Sequence, residues 1–306
     1  GGSKPAARWR QARATIVRHE DYGAGHRWLD LELPAPFEAP EAGQFVELLL
    51  VPPSPVVLPR PMSVAAAETR GDTLTLGFLY AAVGPGTKAL AALATGADVD
   101  VLGPLGRGFP LERPGTPVLI AGGRGVAPLL FAAAALARAG RRCEFLFGAR
   151  DRGHLVGLDD ARARLDAFGG SLHLATDDGS EGERGDVVRL LDRLAPGFAA
   201  PIVIHACGPH AMLKAVARWA ERHGAEAHVA MESVMACGTG GCRGCPRRGA
   251  RHVAATRRRS RPMSSVGRRL WGAVTGNLND ADDAPAAGAP DARPAARANG
   301  TSTASG

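Results

Sequence analysis

The chain has 306 residues, 45% of them hydrophobic, 22% charged and 5% aromatic, enough for two or three domains with ordinary cores and unlike a collagenous or wholly disordered polymer. Its longest uncharged apolar run, 126–137, is about half of what a bilayer span needs, so a transmembrane helix is not expected, and no basic stretch followed by an apolar one opens the chain as in a secretory leader. The formal charge is +7, and nine Arg with no acid lie between Pro246 and Asn279, so the basicity is local; a patch such as Arg257-Arg258-Arg259 can contact phosphates, but one aromatic and no apolar periodicity speak against a nucleic-acid module.

Up to about Pro110 the apolar residues come in short runs, at 14–17, 28–33, 45–51, 73–80 and 98–102, broken by Gly and Pro. Short strands with turn chemistry between them predict an antiparallel β barrel. Arg60-Pro-Met-Ser-Val64 falls between two of these runs, and Gly84-Pro-Gly-Thr-Lys88 leads from a strand into an expected helix at 89–94. After Pro114 the pattern changes to strand (117–121), glycine turn (122–125) and Ala/Leu-rich helix (126–139). Strands at 143–147, 171–176 and 201–206 then alternate with helices at 186–194 and 210–223, and a last strand is expected at 227–231. This is the signature of a doubly wound parallel α/β sheet. Beyond Ala281 the composition of Ala, Pro, Gly, Asp, Asn, Ser and Thr predicts disorder.

Of five cysteines, Cys237, Cys242 and Cys245 crowd into nine residues, which argues against a disulfide framework and for a metal site in a reducing compartment, the cytoplasm. Their C-x4-C-x2-C spacing in a glycine-rich loop is that of a plant-type 2Fe-2S cluster. Zinc usually takes paired half-sites, and His252 is the only nearby extra ligand. Cys143, inside a strand, reads as core, whereas Cys207 reads equally as core or functional.

Three further motifs suggest phosphate and flavin chemistry. The Arg60 guanidinium can pair with a pyrophosphate while Ser63 and adjacent amides reach a flavin, and the Gly84–Lys88 turn suits a phosphate, although it also reads as a simple helix opening. Gly122-Gly123-Arg124-Gly125 sits where a strand meets a helix, the position that accepts a dinucleotide pyrophosphate. Asp177-Asp178-Gly179-Ser180 and Cys207-Gly208-Pro209 each follow a strand at the sheet edge where such folds bind ligands.

Taken in order, RPMSV, GPGT, GPLGRGF, AGGRGVAPL, CGPHAML and MESVMACGTGGCRGC resemble the electron-transfer subunits of NAD-dependent, two-subunit dihydroorotate dehydrogenases, from about Ala14 to Cys245. The resemblance implies a ferredoxin-reductase-type FAD-binding barrel over 10–112, an NAD-binding α/β domain over 113–228, a 2Fe-2S segment over 229–262 and a disordered tail over 263–306. It implies FAD binding by Arg60, Pro61, Met62 and Ser63, by Leu79, Tyr80 and Ala81, and by Gly86 and Thr87. Ala81 stands where the family usually has an Arg. It further implies NAD binding by Gly122, Gly123 and Gly125, with Cys207, Gly208 and Pro209 near the nicotinamide, and metal ligation by Cys237, Cys242 and Cys245. The implied activity is oxidoreduction, passing electrons from a partner flavin through the cluster and FAD to NAD during dihydroorotate oxidation in pyrimidine biosynthesis. The partner would be an FMN-containing catalytic subunit in a heterotetramer, with the dihydroorotate site on that other chain and no catalytic base here. Subunits of sulfhydrogenase, sulfite reductase or transhydrogenase type share the same modules and remain the alternative.

The family's fourth cluster ligand follows the third by some fifteen residues, but no Cys follows Cys245 in this chain. The departure begins at Pro246, where acids vanish and Arg appears in runs. A shifted reading frame and a genuinely diverged tail both account for it.

Overall fold

The computed structural model describes residues 9–51, 58–231, 237–239 and 270–271. Its first half is built from β1 (Arg10–Gly23), β2 (His26–Pro34), β3 (Phe45–Leu50), β4 (Arg60–Ser63), β5 (Ala66–Arg70), β6 (Thr73–Ala81), α1 (Pro85–Ala91) and β7 (Asp98–Leu105). The strands form one antiparallel seven-stranded sheet in the order β4-β3-β7-β1-β2-β6-β5. Period-two burial drives it: Ala14, Ile16, Leu29, Leu31 and Leu33 point inward while the residues between them are less buried. The sheet curls into an open half-barrel. The link between β4 and β5 ties its two ends together, Val64 N–H donating to the Gln44 carbonyl (3.3 Å) and Ala65 N–H to the Gly77 carbonyl of β6 (2.8 Å).

Two expectations are corrected here. Residues 60–63 are themselves a strand, pairing with β3 from Phe45↔Ser63 to Leu48↔Arg60; Pro61 is tolerated because β4 is an edge strand and needs no donor there. The helix opens at Pro85 rather than 89, because proline suits its first turn and the Thr87 hydroxyl both donates to the Gly84 carbonyl (3.2 Å) and accepts from the Gly84 N–H (3.1 Å).

The second half comprises β8 (Thr116–Gly122), α2 (Val126–Arg138), β9 (Glu144–Ala149), α3 (Leu158–Phe168), β10 (Ser171–Thr176), β11 (Glu183–Arg184), α4 (Val187–Leu194), β12 (Ile202–Cys207), α5 (His210–His223), β13 (Glu226–Ala230) and β14 (Leu270–Trp271). All pair in parallel, in the order β11-β10-β9-β8-β12-β13-β14. Buried on both faces, β8 reads as a continuous apolar run. Helix α3 was not expected; its inward residues Leu158, Ala161 and Leu165 have helical spacing. Leu270–Trp271, inside the stretch expected to be structureless, pairs with Ala227 and His228 of β13. The rest of that stretch lies outside the described residues.

The half-barrel, β8 and helices α2 and α3 share one core, which includes Trp28, Phe78, Leu130 and Leu165. Helices α4 and α5 cover the opposite face of the parallel sheet, around Leu190, Val216 and Trp219. Arg164 crosses between the halves, its guanidinium 5.7 Å from the Trp28 ring centre. No described helix is long and apolar enough to cross a membrane.

Candidate functional site: a cleft between the two sheets

A cleft of about 840 Å³ opens at the carboxyl ends of the parallel strands, facing the half-barrel. Its lining draws Ala24–His26 from the β1–β2 turn, Ala81–Val83 from the end of β6, Gly122–Gly125 after β8, Gly148–Arg150 and His154 after β9, Asp177 after β10, Gly208–His210 after β12, and Met231. Eight residues of the motifs read from sequence meet there: Ala81, Gly122, Gly123, Arg124, Gly125, Asp177, Gly208 and Pro209.

The glycines of the 122–125 turn do different work. Gly123 has φ +51° and open space where a Cβ would be, so glycine serves the backbone conformation and leaves the cleft clear. A Cβ on Gly125 would overlap the Cys207 carbonyl, so that glycine lets the two strand-end turns pack against each other. A Cβ on Gly122 would come within 2.6 Å of Met212 Sδ and 2.7 Å of Pro209 Cδ. Cys207 itself is buried behind this contact and does not line the cleft.

Several wall residues carried no sequence signal, because only folding brings their loops together. Burial, first, and then the Arg124 cation hold His26 below its usual range. After β9, Asp151 accepts from the His154 ring Nδ1 (2.8 Å) and backbone N–H (3.1 Å), and Arg150 meets His154 Nε2 at 2.6 Å. The Asp178 carboxylate turns to Ser180 (2.7 Å from its hydroxyl), while Asp186 caps α4 through the Val188 and Arg189 N–H groups.

Of the residues predicted for a flavin, Ala81 lines the cleft and the others lie outside its lining. Arg60 extends over the first turn of α1, where a Cβ on Gly86 would be 2.8 Å from its Cδ and 3.0 Å from a terminal nitrogen. Its Nε and other terminal nitrogen donate to the Pro59 and Leu58 carbonyls (2.9 and 3.0 Å), so the guanidinium is fixed beside Gly86. Met62 is buried, Pro61 exposed and Ser63 half-buried. Leu79 packs toward Gly157 and Val126. The Tyr80 hydroxyl donates to His19 Nε2 (2.8 Å), whose other ring nitrogen faces the Leu93 carbonyl (2.9 Å), and burial holds the Tyr80 phenol above its ordinary range. The side chains of Leu79 and Tyr80 are thus spent on packing, while Ala81 lines the cleft.

Of the cysteine loop, 237–239 is described; Cys242 and Cys245 lie outside the described residues. No group of three potential metal ligands occurs among the described residues. The loop rests on β3, because a Cβ on Gly238 would be 2.9 Å from Glu47 Oε1 and 2.8 Å from Leu105 Cδ1. Glu47 is fully buried, and its carboxyl is pushed up to about 7 by burial, with Arg60 opposing and Cys237 reinforcing the shift. The strand carrying Glu47 pairs with the Arg60–Ser63 strand, so the cysteine loop and the flavin motif share one patch of the half-barrel.

Residues 119–218 match the family model of the oxidoreductase NAD-binding domain. The chain is 36% identical over 242 residues to the electron transfer subunit of dihydroorotate dehydrogenase B (NAD(+)) of Shouchella clausii, covering 78% of this chain and 88% of the relative. This chain belongs to the family of dihydroorotate dehydrogenase B electron-transfer subunits. The Bacillus cereus (strain B4264) member of that family is 36% identical over 209 residues, covering 67% of this chain and 76% of its own length. Among solved structures, an NADH-dependent reduced ferredoxin–NADP oxidoreductase is similar, with TM-score 0.64 and 28% identity, over 75% of this chain and 79% of that one. As a member of the dihydroorotate dehydrogenase B electron-transfer subunits, the chain is an oxidoreductase subunit that works with a partner catalytic subunit.

Proposed function

We propose that the chain carries electrons from the flavin of a dihydroorotate-oxidising partner to NAD. The observation that carries this reading is the single cleft in which the β6 end of the half-barrel faces the Gly122–Gly125 turn and Gly208-Pro209. A nicotinamide dinucleotide fits that arrangement: backbone amides at a strand-to-helix turn accept its pyrophosphate, and Gly208-Pro209, one strand over on β12, would face its nicotinamide.

FAD fits the neighbouring patch. Arg60, held by two backbone carbonyls beside small residues, would take its pyrophosphate, with Gly86 and Thr87 completing the turn. Ser63 and the backbone of residues 79–81 would line the ring. Cys237, Cys242 and Cys245 would supply three of the ligands of a 2Fe-2S cluster, with residues 237–239 against Glu47. When bound, FAD supplies interconversion between one- and two-electron chemistry; this chain's residues fix the separation of the groups and exclude water. The divisions 10–112 for FAD, 113–228 for NAD and 229–262 for the cluster follow from this reading, as does an FMN-containing partner in a heterotetramer within the cytoplasm.

The test is Gly123→Val. A side chain at that open position would block approach of a pyrophosphate to the turn, so KM for NADH in a dye-reduction assay is expected to rise about tenfold or more, with FAD content unchanged. Unchanged NADH kinetics would show that the turn only packs.

A further inference from the structure

We propose that Asp151 and His154 are positioning residues that hold Arg150 over the cleft as the cation for a phosphate of the dinucleotide. The inference rests on the reading of the cleft as an NAD site and adds residues to it.

The local sequence makes the device. Strand β9 ends at Ala149, and Asp151 caps the short turn Arg152–His154 by accepting the His154 N–H at 3.1 Å. That cap brings the imidazole back onto the same carboxylate, with Nδ1 2.8 and 2.9 Å from its two oxygens. A carboxylate acceptor at Nδ1 places the ring proton there, so Nε2 carries the lone pair. Arg150 donates to that nitrogen at 2.6 Å. Its acceptor is neutral, so the hydrogen bond orients the guanidinium without neutralising it.

Two of the neighbouring cations are committed elsewhere, while Arg124 of the glycine turn shares the cleft with Arg150. Arg162 pairs with Glu181 at 2.6 Å, and Arg152 approaches the same residue at 3.6 Å. Arg150 and His154 instead line the cleft together with Gly122–Gly125. Gly148 is the register partner of Gly122, so Arg150 follows the end of the strand adjacent to β8, two residues past that pair, and lines the cleft with the glycine turn. A guanidinium held there can take phosphate oxygens with two donors. Because the imidazole fixes it beforehand, less side-chain freedom is lost on binding.

The test uses the full chain loaded with FAD, read by NADH oxidation with a dye acceptor and by calorimetric binding of NAD. Arg150→Ala is expected to raise KM for NADH and Kd for NAD about tenfold while kcat stays within about twofold. His154→Asn keeps a donor toward Asp151 but removes the acceptor for Arg150, and should reproduce most of that loss. His154→Gln, whose amide oxygen can take the Arg150 donor, should restore binding, and R150A/H154N should be no worse than R150A. An increase for both NADH and NADPH assigns Arg150 to the pyrophosphate, and one confined to NADPH assigns it to a 2′-phosphate. A silent H154N, or an H154N effect that adds in full to that of R150A, overturns the relay. If R150A is silent while Gly123→Val raises KM, the Arg150 assignment fails and the NAD reading stands; if both are silent, both fall.

Discussion

The half-barrel and the parallel sheet expose opposite materials. In the half-barrel the chemistry is projected by side chains from strands and turns: Arg60 over the first turn of α1 and Glu47 beneath the cysteine loop. In the parallel sheet the central strands β8, β9 and β12 are buried on both faces, and the cleft is lined by turn backbone and by residues at or just past the strands' carboxyl ends. The contrast implies that a substitution at the packed Gly125 of the parallel-sheet turn acts first on backbone packing, whereas one at Arg60 in the half-barrel acts first on the ligand.

The largest effect that would break this contrast is expected at Gly125. Gly125→Ala forces a Cβ into the Cys207 carbonyl, with nothing flexible to yield, and should destabilise the protein by about 3 kcal/mol or more in urea unfolding. Normal stability would mean that the two strand-end turns move apart freely. Arg60→Ala should leave folding intact and weaken FAD by about 1.5–3 kcal/mol, the worth of a charge-assisted hydrogen bond, measured as the FAD retained through dilution and gel filtration. A variant that unfolds instead of losing FAD would place Arg60 on the packing side of the comparison.

A smaller effect sharpens the picture of the parallel sheet's interior. His205 on β12 is buried against the His228 ring (5.2 Å) and the edge of Phe109 (5.3 Å). Burial first, then His228 and Arg141, lower its pKa from 6.5 to about 3. Because the folded value is depressed, this site's stability is full above the unfolded value and is lost as pH falls from 6.5 toward 3. At pH 5 the loss is about 2 kcal/mol. His205→Phe should therefore shrink the drop in unfolding free energy between pH 7.5 and pH 5 by about that much, and an unchanged acid limb would assign the loss to other groups. His228, also held below its usual range by burial, keeps its own share.

Legibility followed the range of the interactions. Helix α5 (His210–His223) and strand β10 (Ser171–Thr176) were readable to the residue, because their periodicity and flanking turn residues are local. Helix α3 escaped notice since Asp and Arg fill most positions between its few apolar contacts. The Arg60–Ser63 strand escaped too, because its strand character depends on a partner, β3, ten or more residues away. The glycines, Arg60 and the cysteines were visible as motifs, whereas His26 and the Asp151–His154–Arg150 chain were not.

The sequence by itself determined the order of the modules, the parallel character of the second sheet, the family and the residue types offered to each ligand, since all of these reside in short-range pattern and composition. Only the tertiary structure decided which glycine is open and which is packed, that Leu79 and Tyr80 spend their side chains on packing, and that the β1–β2 turn joins the cleft wall. The reason is physical: a motif specifies local conformation, but what a Cβ would meet, and which loops share a cavity, depends on chain segments that are brought together only when the common core closes.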